Sequence, residues 1–188
     1  MHACIRLTSR LLACSDLLTN ISGTLNITTH AFGQATSTYA NSSLVQLQQR
    51  SAAVLWDTAL ATLLGGFPRA DSIVLFTLSY VINGSRTSST TTVNPVTFAN
   101  KTLPNPELQA LNVQPCLDDN ASVCFSVKAA HLAAWVQLTS PLPGRFSTNG
   151  FAVPPGVLQP VRFTGWGQPL DVAEFIRGLE LVSVYDVQ

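Results

Sequence analysis

Charge is scarce in this sequence. Only 11% of its 188 residues are Asp, Glu, Lys or Arg, against roughly 25% in an ordinary soluble domain. The ten basic residues are balanced by ten acidic ones, so no basic field exists to hold nucleic acid or an anionic membrane. Histidine is rarer still: His2, His30 and His131 are the whole supply, and none adjoins a nucleophile elbow of the kind an acyl-transfer triad needs. His131, in Ala129-Ala-His-Leu-Ala-Ala134, reads as a residue ending a strand or capping a turn. The four cysteines lack the doubled C-x-x-C spacing of a zinc site, which argues against a metal. No run of eighteen or more apolar residues is present to span a membrane. No P-loop, dinucleotide fingerprint, repeat period or heptad occurs, and no cofactor is expected.

A surface without charge must be built from Ser, Thr, Asn and Gln, as extracellular and lumenal proteins often do. Asn20-Ile-Ser, Asn26-Ile-Thr, Asn41-Ser-Ser, Asn83-Gly-Ser, Asn100-Lys-Thr and Asn120-Ala-Ser all fit the N-glycosylation acceptor pattern. Six of ten asparagines qualify, where a chain this rich in Ser and Thr would yield about two by chance. That excess points to the secretory pathway. A signal peptide is nonetheless absent from the first twenty residues, because Arg6 and Arg10 interrupt the apolar run. The expectation is a chain that begins part-way through something larger. Cys4, Cys14, Cys116 and Cys124 allow three pairings. Cys116 and Cys124 flank a turn between strand-like residues, so either a local bridge or two buried thiols fits them.

Hydrophobic residues make up 46% of the chain, enough for one comfortable core or two small ones. Ala3 to Leu7, Gly23 to Thr29 and Ser43 to Leu47 read as short strands. Val54 to Leu64 reads as one helix closed by Gly65-Gly66. Ser72 to Ile82 is dense in β-branched and aromatic residues and ends in Asn83-Gly84, a strand followed by a turn. The polar run Ser85 to Thr92 could be a loop or an exposed edge. Pro95 to Pro106 carries three prolines and marks a boundary near Asn100. Beyond it, strands are expected at Leu108 to Gln114, Ser122 to Lys128, Ala133 to Leu138, Gly150 to Val153, Val157 to Thr164 and Leu179 to Val187, with a helical turn at Val172 to Arg177. Short strands at this spacing predict a mainly β protein of two Ig-like antiparallel β-sandwich units in tandem, 1–99 and 100–188, the first incomplete and carrying one short helix.

Glycoside hydrolysis needs two carboxyl groups across the sugar. Here Glu107 sits in the Pro-rich linker, Glu174 in a short amphipathic segment and Glu180 near the last strand, while Asp118 and Asp119 read as a solvated turn. No acid/base pair emerges, and no catalytic residue is assigned. Trp135, Phe163 and Trp166 could stack on a pyranose, though aromatics on sandwich strands are more often core. In Phe146-Ser-Thr-Asn-Gly-Phe151, Asn149-Gly150 reads as a tight hairpin turn with both phenylalanines turned inward, and Pro154-Pro155-Gly156 ends the following strand.

Four runs together carry a resemblance: Ala134-Trp-Val-Gln-Leu138, Gly144-Arg-Phe-Ser-Thr-Asn-Gly-Phe151, Val161-Arg-Phe-Thr-Gly-Trp166 and Leu179-Glu-Leu-Val-Ser-Val-Tyr-Asp186. They resemble the C-terminal Ig-like domain of the β-mannosidases of glycoside hydrolase family 2, closest to the lysosomal, animal-type enzymes. Trp135, Arg145, Phe146, Ser147, Asn149, Gly150, Phe151 and Trp166 are the motif positions, with structural roles implied. Thr148 stands where the family usually has Asp, Val157 where an acid is common after the Pro-Gly, and Gly165 where a proline precedes the tryptophan. The first half is more weakly similar to the penultimate sandwich domain of the same enzymes. The resemblance implies a retaining exo-hydrolase that removes terminal β-D-mannose from non-reducing ends of oligosaccharides and glycoproteins. Its catalytic glutamates belong to a (β/α)8 barrel that no part of this chain matches, so this portion would support the barrel and be inactive alone. A free-standing extracellular Ig-like adhesion or carbohydrate-binding module is the alternative.

Overall fold

A computed structural model describes residues 2–6, 10–15, 18–34, 36–95, 103–166 and 170–187. The chain divides into two compact units, one of Met1–Ala31 with Thr36–Thr97, the other of Phe98–Gln188 with Phe32–Ala35. In both, the paired strands are antiparallel.

In the first unit a three-stranded sheet runs in the order β1 (His2–Arg6), β2 (Arg10–Cys14), β5 (Ala52–Asp57). A four-stranded sheet orders β4 (Ser37–Leu47), β3 (Ile21–Ala31), β6 (Ser72–Ile82), β7 (Ser85–Val93). Leu11 of β2, Leu25 and Ile27 of β3 and Val74 and Phe76 of β6 share one buried cluster, so the two sheets cover each other's apolar faces. A second cluster joins Ala13 to Ile21, Leu47, Leu78 and Tyr80. β3 and β6 are the two central strands of this sheet. Gly23 sits where a Cβ would lie 2.5 Å from the Ser79 carbonyl oxygen, so the close approach of these two strands requires glycine there.

The expected helix over Val54 to Leu64 is corrected. Ala52–Asp57 is a strand paired with β2, and α1 is a single turn, Leu60–Leu63. The apolar run also satisfies strand alternation, and pairing with Leu11 and Leu12 selects that reading over helical periodicity. Ser85 to Thr92 is an edge strand: its Thr90 hydroxyl meets that of Thr77 across the pair, at 3.1 Å. Arg10–Cys14 is a strand that the composition did not suggest.

In the second unit a four-stranded sheet orders β11 (Gly144–Phe146), β13 (Gln159–Gly165), β9 (Asp119–Lys128), β8 (Gln109–Cys116). The opposing sheet orders β12 (Phe151–Val153), β10 (Ala133–Thr139), β14 (Glu180–Val182). Helix α2 (Val172–Gly178) is capped by Asp171, whose carboxylate accepts from the Ala173 and Glu174 N–H groups. Phe175 of this helix is fully buried and meets Phe163 at a centroid distance of 4.9 Å, Phe125 at 5.8 Å and Phe146 at 6.4 Å. A buried phenylalanine of this kind contributes about 1.5–3 kcal/mol, which anchors a helix too short to stand by itself. The final stretch expected as one strand is strand only over Glu180–Val182. Asp186 then accepts from the Ser183 N–H and hydroxyl, closing a 3-10 turn.

The hairpin reading of Phe146 to Phe151 is also corrected. β11 pairs with β13 and β12 pairs with β10, so the segment crosses from one sheet to the other. Gly150 has φ 69°, but Asn149 is not among the positive-φ residues, so the paired left-handed residues of a two-residue hairpin turn are not formed.

Candidate functional site

The motif residues gather around that crossover. Strand β10 alternates regularly from Val136 to Thr139, yet a bulge lies between Ala133 and Val136 and Trp135 takes φ 55° within it. A bulky residue in this region is uncommon, and bulges re-aim side chains. Here the indole is turned outward, 57% exposed, and lies over Gly150, where an added Cβ would sit 3.8 Å from the ring. The Gly150 N–H donates to the Val136 carbonyl at 2.9 Å.

Asn149 performs the work of a strand residue with its side chain. Its Oδ1 accepts from the Leu138 N–H at 2.8 Å and its Nδ2 donates to the Leu138 carbonyl at 3.0 Å. Leu138 is 2% exposed, so these bonds satisfy backbone groups that solvent reaches poorly. Ser147 acts similarly toward β13: its N–H donates to the Arg162 carbonyl at 2.7 Å, and its hydroxyl accepts from the Arg162 N–H at 3.0 Å. Phe146 points inward, at 4.9 Å from Phe163, and Phe151 is partly buried against the same cluster. Arg145 is exposed on β11. Weighing Trp135 and Trp166 as core is corrected, since Trp166 is 68% exposed; Phe163 is core at 1%.

A second constellation was not legible as one. Asp118 and Asp119, read as a solvated turn, converge on Arg162 from the neighbouring strand: Nη1 meets Asp118 at 2.8 Å and Nη2 meets Asp119 at 3.0 Å. Asp119 also accepts from the Ser122 hydroxyl at 2.6 Å and the Ala121 N–H at 2.9 Å. The hydrogen bond from Arg162 holds the Asp118 carboxyl below its ordinary pKa, and that from Ser122 does so for Asp119; Arg162 is raised in return. The antiparallel register, with Arg162 opposite Cys124, brings the pair together across 43 residues of sequence.

Cys116 and Cys124 form a disulfide across the β8–β9 turn, and Cys14 carries a free exposed thiol. Among the described residues no group of three or more His, Cys, Asp or Glu side chains could hold a metal ion. Among the described residues no helix is long and apolar enough to cross a membrane. Glu180 accepts from the Thr139 hydroxyl and Glu107 is exposed with φ 50°. His131 lies in the turn between β9 and β10, with its backbone N–H toward the Pro106 carbonyl. Of the sequon asparagines, Asn20, Asn41, Asn83 and Asn120 are exposed and Asn26 is half-buried; Asn100 lies outside the described residues.

Residues 103–187 match the Ig_mannosidase family, an Ig-fold domain. No curated protein matches the chain. Among solved structures, the β-D-mannosidase of Dictyoglomus thermophilum is similar with a TM-score of 0.72 at 16% identity, covering 97% of this chain and 21% of that one. The exo-chitosanase CsxA of Amycolatopsis orientalis, in complex with PNP-β-D-glucosamine, is similar with a TM-score of 0.62 at 11% identity, covering 97% and 26%. The chain thus spans between a fifth and about a quarter of the length of these structures, and at such identity the likeness is one of fold.

Proposed function

We propose that this chain, with its mannosidase-type Ig-fold domain at residues 103–187, is the C-terminal accessory portion of a family 2 glycoside hydrolase that removes terminal β-D-mannose from oligosaccharides and glycoproteins. The observation that carries the reading is that the fold of a β-mannosidase matches 97% of the chain, with a TM-score of 0.72. In this reading residues 1–99 are the penultimate Ig-like domain and 100–188 the C-terminal one. Both would pack on a catalytic (β/α)8 barrel elsewhere in the polypeptide, which supplies the acid/base and nucleophile. The physical task is positional: a rigid sandwich holds active-site loops in register, and small displacements of catalytic groups cost rate steeply. The exposed sequon asparagines support a lysosomal or secreted setting.

Deleting residues 100–188 from the parent polypeptide tests the role. Turnover of an aryl β-D-mannoside should fall at least tenfold and the melting temperature should drop. Unchanged turnover and melting would refute it.

A further inference from the structure

Asn-Gly occurs twice in this sequence, at Asn83-Gly84 and at Asn149-Gly150. The pair is chemically labile, because glycine has no Cβ to shield its backbone nitrogen from the neighbouring side-chain amide carbon. At Asn149 every reacting group is held. Oδ1 accepts from the Leu138 N–H, and Nδ2, the nitrogen that would leave, donates to the Leu138 carbonyl. The Gly150 N–H is shared between the Val136 carbonyl at 2.9 Å and Asn149 Oδ1 at 3.2 Å, so its proton is retained. The Trp135 indole lies over Gly150. Attack there requires the crossover to open first.

Asn83 stands in the opposite situation. Strand β6 ends at Ile82, β7 begins at Ser85, and these two residues are paired, which leaves Asn83 and Gly84 as a two-residue turn with φ 49° and 77°. Asn83, Gly84 and Ser85 are all exposed. Among the described residues no hydrogen bond engages the Asn83 amide or the Gly84 N–H. Nothing lies within 4 Å of where a Gly84 Cβ would sit, so water and base reach the nitrogen from that side. Strand β7 is an edge strand, and the backbone rotation that brings the Asn83 Cγ to the Gly84 nitrogen opens only the hairpin end, at low cost. We propose that Asn83 is a site of spontaneous deamidation, while Asn149 is protected by its clamp to Leu138. The Gly84 nitrogen, its proton lost to base, attacks Cγ of Asn83. An N–Cγ bond forms, the Cγ–Nδ2 bond breaks, and Nδ2 leaves as ammonia with a proton taken from water. Water then opens the cyclic imide at either carbonyl, giving aspartate or isoaspartate. Both products add a negative charge at the tip and erase the Asn83-Gly-Ser acceptor sequence. Isoaspartate also routes the main chain through the side-chain carbon, which lengthens the turn and strains the pairing of Ile82 with Ser85.

Peptide mapping by mass spectrometry tests this on the 188-residue chain, incubated at neutral pH and physiological temperature, with isoaspartate read by enzymatic methylation. A parallel incubation in guanidinium chloride removes the fold, and circular dichroism confirms that the first sample keeps it. In the folded chain Asn83 should convert at least tenfold faster than Asn149, to both products, and faster as pH rises. In denaturant the two rates should draw together, to well under tenfold. The proposal is overturned if the folded-state ratio falls below tenfold, if the same ratio persists in denaturant, or if aspartate forms without isoaspartate, since direct hydrolysis would then bypass Gly84.

Discussion

Replacing Asn149 by alanine removes both of its hydrogen bonds to Leu138 and leaves the N–H and the carbonyl of Leu138 without those partners. The bonds are 2.8 and 3.0 Å long, and Leu138 is 2% exposed. A buried polar group stripped of its partner costs about 1–3 kcal/mol. Asn149 is itself exposed, so water can enter the space left behind and the lower half of the doubled range applies, about 2–4 kcal/mol. Asn149→Asp separates hydrogen bonding from packing. It keeps an acceptor for the Leu138 N–H but sets a carboxylate against the Leu138 carbonyl, so near neutral pH it should cost at least as much as alanine. The folded protein then favours the protonated carboxyl, whose pKa is raised above the unfolded value of about 3.9. Stability of this variant relative to Asn149→Ala must therefore rise as pH falls through the folded pKa. Urea denaturation of the chain, followed by circular dichroism from pH 7 to pH 4, measures both effects. A cost for Asn149→Ala below about 0.5 kcal/mol, the level of an ordinary surface substitution, would refute the clamp. So would an aspartate variant that gains nothing on acidification.

Other perturbations follow from the same structure. Replacing Cys116 and Cys124 together by serine opens a loop with a sequence separation of 8 and should cost about 2.5 kcal/mol by chain entropy, read by denaturant midpoints with and without reductant. Gly144→Ala should cost about 1–3 kcal/mol, because its Cβ would meet the Phe163 ring and lie 2.6 Å from the Thr164 carbonyl oxygen; thermal melting reports it. Arg162→Ala should flatten the acid limb of stability: the lowered carboxyl pKa values of Asp118 and Asp119 contribute stability above about pH 4 that is lost as pH falls through the folded values. Equal acid sensitivity in the variant and the wild type would contradict the pairing.

The β class was legible because strand alternation is local. Ser72–Ile82, with its β-branched run and Asn-Gly stop, appears in the fold with the bounds its sequence suggests. Ala52–Asp57 misled because an apolar run serves either period, and only its partner Arg10–Cys14 decides between them. The crossover at Asn149-Gly150 was hidden for the same reason. Turn chemistry names a bend, but which sheet each flanking strand joins depends on partners distant in sequence. The Arg162 pair was invisible until register set it beside Asp118 and Asp119. The outward tryptophans were weighed toward the core, and a bulge at Trp135 and a strand end at Trp166 both depart from the burial that aromatic composition implies.

The most direct test of the account is to capture the native product with an antibody raised against residues 103–187 and assay it on aryl β-D-mannoside and aryl β-D-glucosaminide in parallel. The account predicts a polypeptide well above the 20.1 kDa of this chain that hydrolyses the mannoside in preference. A native product of 20.1 kDa without glycosidase activity, or one that cleaves only the glucosaminide, would contradict it.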